Sequence, residues 1–531
     1  MSTETLDKDK DKSANIEIFT LDGEEDVIEF LKDIHEIDSL TESNRSRICQ
    51  IFEMIQYPFT VVFEDEYVDK LYRDTYYAYF ASKHTQFAKN CKRISFFQGY
   101  IDPEKFYRFN EDIESDLQKR FIGICVLKPI KVGKIGKTLL DPTKLKFSES
   151  YVRTTRFEFI VLGHNLTVEA YPYSSQDSET MTCAETTVWS ILEYFGTRYS
   201  EYRTILPSQL ISELERISQE RILPSRGLDY CKVSELLKIF GFSPRLYARS
   251  AFEKKEKQSE NFKKIFHYYV ESGIPLAVGV SGKLNGADVK HSVVCIGHGS
   301  QRKDIKDVTP MKVGEYNYID SADLYDNYVT MDDNQQPYKV EPFNALTKYD
   351  NSKVVVFAVP LYKRAFLEAN DASVLVTEIF KHKDIGFSKI VSTIDEKVDD
   401  ENPLIIRIYL TSSRKYRCFR AKHENEIAAS FYGAFRFPKF IWVAEISTYA
   451  SYVENKVYGE IVIDATSSRM SHIDSLIMIR YLDHIGYKMP DEGIKQVTDR
   501  LKHRANGFTF PYAMYENNLI RSGGCSNDEK V

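Results

Sequence analysis

A chain of 531 residues has room for roughly two to four domains, and 43% hydrophobic with 28% charged residues is an ordinary globular balance. The net charge of -7 argues against a nucleic-acid protein whose whole surface is basic. The eight cysteines, none in a C-x-x-C pair, argue against a disulfide framework or a zinc ribbon. No run approaches the roughly 18 apolar residues of a spanning helix, so the expectation is a protein with no membrane partner.

Residues 1–15 are polar and charged, which predicts a disordered tail. They lack the apolar core of a secretory signal and are too acidic for a transit peptide, so the chain reads as cytoplasmic with reduced thiols. Residues 16–170 alternate helix and strand signals. Apolar Val27, Ile28, Phe30, Leu31 and Ile34 form a helical stripe over Glu24–Ile37. Phe59–Phe63 and Phe121–Leu127 read as strands, with an aromatic helix holding Tyr72–Phe80 between them. Phe157–Leu162 and Leu166–Ala170 predict a hairpin around Gly163, His164 and Asn165.

The order changes over 171–362. A loop leads into a helix at Cys183–Phe195, with further helices at Pro207–Ile217, Lys232–Phe240 and Asn261–Glu271, the last stopped by Gly273 and Pro275. Strands follow at Leu276–Val280, His291–Gly297, Tyr316–Ile319, Asn327–Met331 and Val354–Val359. A helical half thus precedes a β half. Residues 363–515 form another mixed α/β region, with strands at Leu404–Thr411, Phe440–Ser447 and Val457–Asp464 and a helix at Glu426–Phe435. Residues 516–531 read as a flexible tail, making Cys525 a stray exposed thiol.

One constellation carries chemistry. Cys183 lies where a loop turns into a helix, and the positive end of a helix dipole favours a thiolate, the nucleophilic form. His291 opens an apolar strand, at a sheet rim from which it can reach a helix terminus and shuttle a proton. His298 lies on the opposite face of that strand by parity and reads as a polar strand end; Cys295 reads as core. An acid to hold the imidazole follows in one of two places, Asp320 after NYI, or Asp332 with Asp333 after NYVTM, with Asp332 ranked first. Gln176, seven residues before Cys183, offers a side-chain amide to a developing oxyanion; the extra length predicts a turn over Asp177–Met181 with exposed Ser178, Glu179 and Thr180.

This order, Gln, then Cys at a helix start with Trp189 six residues on, then His at a strand start, then Asp at a later strand end, resembles the papain-like cysteine peptidase superfamily. The likeness covers roughly residues 171–362. It is closest to the bacterial branch of bacteriocin-leader peptidases and their cytoplasmic relatives, which have Cys-His-Asp order. Ala184 stands where the family commonly has glycine, and the Gln-to-Cys spacing is one residue longer than usual. The resemblance implies an α+β fold, with a helical lobe carrying Cys183 and an antiparallel β lobe carrying His291, flanked here by mixed α/β regions. It implies a peptide or protein substrate and no cofactor or metal. Two other readings stand beside it: the same triad used for acyl transfer, as in transglutaminases and arylamine N-acetyltransferases, and a catalytically silent scaffold kept as an interaction module.

Other signals read as structural. Lys131–Thr138 (KVGKIGKT) lacks the first glycine of a phosphate-binding loop and has Pro142 where the helix should run, so it predicts a glycine-bearing β connection. Glu64, Asp65, Glu66 and Asp69 read as solvated charges before a helix. Glu445 and Asp464, which interrupt or end apolar strands, read as structurally paired.

Overall fold

The computed structural model describes residues 16–34, 41–253, 259–313, 316–381, 390–391, 394, 396–468, 474–481, 484–487, 502–504, 511–516 and 519–523. The tail expected over residues 1–15 and the thiol of Cys525 lie outside them.

The fold is α+β; among the described residues three large sheets carry most of the strands, beside two two-stranded ones. The first is an antiparallel meander in chain order: Ile16–Leu21, Phe59–Tyr67, Cys91–Gln98, Phe121–Leu127 and Ile135–Leu140. Phe121–Leu127 is buried at every position, as befits a continuous apolar strand with both faces covered. Phe30, Phe52 and Ile55, from the Glu24–Asp33 and Glu42–Glu53 helices and the residues that follow, pack on one face. Leu117, Phe157 and Leu166 pack on the other. The Thr155–Val161 and His164–Ala170 hairpin turns through Leu162 and Gly163, both at positive φ.

The second sheet holds the strands of the β half except Tyr316–Asp320. Its order is Lys339–Pro342, Asn327–Met331, Ala287–Gly299, Leu276–Leu284, Asp350–Val359 and Arg245–Ala248, antiparallel throughout. The Cys183–Arg198 helix packs on the Ala287–Gly299 strand, and Val188, Trp189, Ile191 and Leu192 share a core with Ala277 and Val294. The Ser259–Glu271 helix covers the other face with Phe262, Ile265 and Phe266, against Val278, Val293 and Cys295. That second core continues into the third sheet through Ile406, Ile408 and Trp442. The third sheet is mainly antiparallel, but Tyr316–Asp320 runs parallel to the start of Leu404–Ser412. Among the described residues no helix is long and apolar enough to cross a membrane.

Strands cross the expected boundaries at 171 and 362. Ser150–Val152 joins the second sheet, while Tyr316–Asp320 belongs to the third. The expected flexible tail over 516–531 is corrected over its described part. Ile520–Ser522 is a strand paired with Ser150–Val152. Three residues are too few to show a period, which is why composition alone suggested a tail.

Candidate functional site

The site is assembled where the Cys183–Arg198 helix meets the Ala287–Gly299 strand. Thr182 is the N-cap residue, in extended conformation, and Cys183 is the first helical residue. The Thr182 hydroxyl donates to the carboxylate of Glu185 instead of capping the helix, and the Ser225 hydroxyl donates to the other oxygen of the same carboxylate. First-turn N–H groups have no intrahelical partner, so the helix start presents donors beside a half-buried thiol. The strand is clamped to the helix one residue beyond His291. The Ser292 hydroxyl donates to Thr187 Oγ1 at 3.1 Å, and the Tyr230 hydroxyl meets it at 2.9 Å.

His291 is buried, and its Nε2 lies 2.7 Å from Asp332 Oδ1. With Nε2–H given to the carboxylate, Nδ1 is left for the neighbouring Cys183, whose thiol favours the charged imidazolium. Tyr349 stands edge-on to the ring at a centroid distance of 5.5 Å. Asp332 ends the Asn327–Met331 strand and starts a turn closed by the Gln335 N–H on its own carbonyl. Its side chain also accepts the Asn334 N–H at 2.9 Å and the Gln335 amide at 2.8 Å. Three donors therefore fix one carboxylate. Burial disfavours charge on both partners, yet their attraction prevails. Asp332, helped by the Cys183 contact and Asp333, raises the pKa of His291 well above its ordinary value. His291, with the donors from Gln335 and Asn334, lowers that of Asp332.

The other acids have different places. Asp333 Oδ1 is 3.4 Å from His291 Nε2. Asp320 is not on His291. Its carboxylate accepts the Tyr268 hydroxyl and the Ala322 N–H, against the Ser259–Glu271 helix. His298 is buried, with Nε2 3.0 Å from Glu271 Oε2. A β-bulge between Cys295 and Gly297 shifts the alternation, so His298 shares with Cys295 the face toward that helix, and parity does not carry across the bulge.

Gln176 reaches the same turn as Asp332, donating from Nε2 to Asn334 Oδ1 at 2.9 Å. The segment between it and Cys183 is a turn organised by Asp177, whose carboxylate takes the N–H groups of Glu179, Thr180 and Met181 at 2.7–2.9 Å. Ser178 is exposed at φ 62°, but Thr180 is fully buried, its hydroxyl on Asp177, and Glu179 pairs with Lys83. Only Ser178 projects in the way expected of the whole segment. The β connection at Lys131–Thr138 buttresses this turn. Gly133 is left-handed at φ 66°, and a Cβ there would fall 1.7 Å from the Gln176 carbonyl oxygen.

Sequence reasoning missed Gln335, Asn334 and Arg47, which donates from Nη1 to the Asp333 carbonyl at 2.9 Å. All three are polar residues outside apolar periodicity; the only signal was their closeness in sequence to Asp332 for the first two. The donor atoms of His291, Asp332 and Asp333 all lie within 4.8 Å of one another, so a cation could be held there. It would have to displace the Asp332 hydrogen bond from Nε2, next to the positive charges of Arg47 and Lys128. No protein-family model matches the chain, and no curated protein matches it at a significant level.

Proposed function

We propose that this protein is a thiol-dependent amide hydrolase, a cytoplasmic cysteine peptidase of the papain-like kind. The observation that carries the reading is the placement of one imidazole between a thiol at a helix start and a carboxylate with three fixed donors. The order Cys183, His291, Asp332 along the chain, on a helix followed by an antiparallel sheet, supports the same reading.

In this mechanism His291 takes the Cys183 proton through Nδ1, and the thiolate adds to the carbonyl carbon of a peptide or protein substrate. The oxyanion is met by N–H groups at the helix start and by the Gln176 amide. Collapse of the tetrahedral intermediate breaks the C–N bond, and His291 returns the proton to the departing amine. Water, deprotonated by His291, then adds to the thioester and releases the acid. Asp332 keeps the ring in one tautomer throughout and stabilises the imidazolium. The chemistry needs no metal or organic cofactor.

Active-site titration with a peptide-like electrophile, followed by mapping of the labelled cysteine, tests this. Cys183 is expected to label faster than the six other described cysteines, Cys231 and Cys418 being more exposed and Cys91, Cys125 and Cys295 buried. His291→Ala should remove that preference. Labelling that follows exposure alone, unchanged in His291→Ala, would refute an activated thiol. Product formation that requires an added amine would turn hydrolysis into acyl transfer.

A further inference from the structure

The Asp333 carboxyl has no role in the mechanism so far, and its surroundings are unusual. It is 5% exposed, and neither oxygen has a hydrogen-bond partner among the described residues. A buried polar group without a partner is costly, so one that persists calls for an explanation. Asp333 borders a void of about 10 Å3, about the space of one water molecule, lined by the hydroxyl-bearing Ser174, Thr186, Thr187 and Ser190 and by the apolar Val294 and Met331. The Thr186 hydroxyl beside it likewise has no partner among the described residues. The backbone of Asp333 is held in place by Arg47, which leaves the side chain as the free variable.

We infer that Asp333 is a positioning residue for the Cys183–His291 pair, a second buried carboxyl beside the imidazole that strengthens the hold on the imidazolium when it is charged. This rests on the thiol-hydrolase reading. The geometry behind it is the 3.4 Å separation from His291 Nε2, at the nitrogen already bonded to Asp332 at 2.7 Å. Two adjacent carboxyls thus face one ring nitrogen. The charged and titratable groups around Asp333 are His291 on its strand, Asp332 on the same turn, Arg47 on the Glu42–Glu53 helix, Lys128 after the Phe121–Leu127 strand, and the phenols of Tyr173 and Tyr349. Burial raises the Asp333 carboxyl most and Asp332 adds to the rise. His291, Arg47 and Lys128 oppose it, and the result is about 7. Below that pH one carboxylate faces His291; above it two do. The added charge acts where the imidazolium would otherwise lose its proton, so it extends the ion pair to higher pH.

The test is alkylation of Cys183 by iodoacetamide across pH, read by peptide mapping in the full chain, in wild type, Asp333→Asn and His291→Ala. The wild type is expected to show an upper inflection owed to His291 that is lost in His291→Ala. In Asp333→Asn that inflection should move down by roughly one pH unit or more, the effect of removing an opposite charge within about 4–6 Å. The lower part of the profile, where Asp333 is already neutral, should be unchanged. A profile that superimposes on wild type overturns the inference and leaves the thiol reading standing. A wild-type profile indifferent to His291→Ala overturns the thiol reading itself. The His291 ring protons followed by NMR in the wild type need no variant. An inflection near pH 7, in addition to the titration of His291, supports the inference, and its absence refutes it.

Discussion

The Gln176 amide carries two N–H bonds, and the one that reaches Asn334 ties it to the turn that also positions Asp332. The second N–H is the candidate for the oxyanion. Gln176→Ala is therefore expected to lower kcat by about a hundred- to a thousandfold and leave KM nearly unchanged, because such a donor acts in the transition state. A loss below about threefold would return Gln176 to a loop role. Asp332→Asn should cost about a hundred- to ten-thousandfold; it should also bring the alkaline limit of activity down, because Asp332 is the main group raising the pKa of His291. A rate–pH profile of unchanged shape would count against that role. Cys183, His291 and Asp332 were legible in the sequence because each stands where a pattern changes: loop to helix, polar to apolar, strand to turn. His291 does not open its strand as expected but is its fifth residue, where the exposed end gives way to the buried run. Asn334, Gln335 and Arg47 mark no such change. Their importance comes from what lies across the turn, which no local pattern records.

At the scale of elements, the site depends on the approach of two loops, one before the Ile135–Leu140 strand and one before the Cys183 helix. Gly133 belongs to the connection that leads into the last strand of the first sheet, and Gln176 to the loop before the Cys183 helix. The Gln176 carbonyl comes so close to the Gly133 Cα that no side chain fits there. Gly133→Ala should cost at least about 1–2 kcal/mol from the left-handed backbone alone; relief of the clash should move Gln176 and lower kcat. Wild-type stability and rate in this variant would show that the loops are not coupled as described. Most helices and strands of 171–362 were readable within a few residues from periodicity and from breakers such as Gly273 and Pro275. The bulge at Cys295–Gly297 was not, because the extra residue is visible only against the partner strand. That is also why His298 was read to the wrong face.

Across the whole molecule, the second and third sheets are joined by a line of buried charges whose partners lie far apart in sequence. His298 Nε2 meets Glu271 Oε2 at 3.0 Å, Glu271 Oε1 meets Arg407 Nε at 2.6 Å, and Arg407 Nη1 meets Glu445 Oε2 at 2.8 Å. Glu445 then bonds Arg420 at 2.7 Å. From sequence, Glu445 read as structurally paired, but its partners could not be named, and neither could the strand exchange that makes the sheets neighbours. Burial raises the Glu271 carboxyl, but Arg407 and His298 outweigh it and hold its pKa well below the ordinary value of 4.5. A depressed carboxylate contributes stability that is present above its unfolded pKa and is lost as pH falls through the folded one. The window therefore lies below about 4.5, and acid unfolding of Glu271→Gln should be less steep there than in wild type. At neutral pH, Glu271→Gln and Arg407→Met should each cost up to about 3–5 kcal/mol, since each takes one ion-pair partner from a buried charge that keeps only its other contacts. The double variant should be less destabilised than the sum, because both changes break the same ion pair. Additive losses in chemical denaturation would mean that the two residues do not act as a pair and that the sheets are held by their apolar core alone.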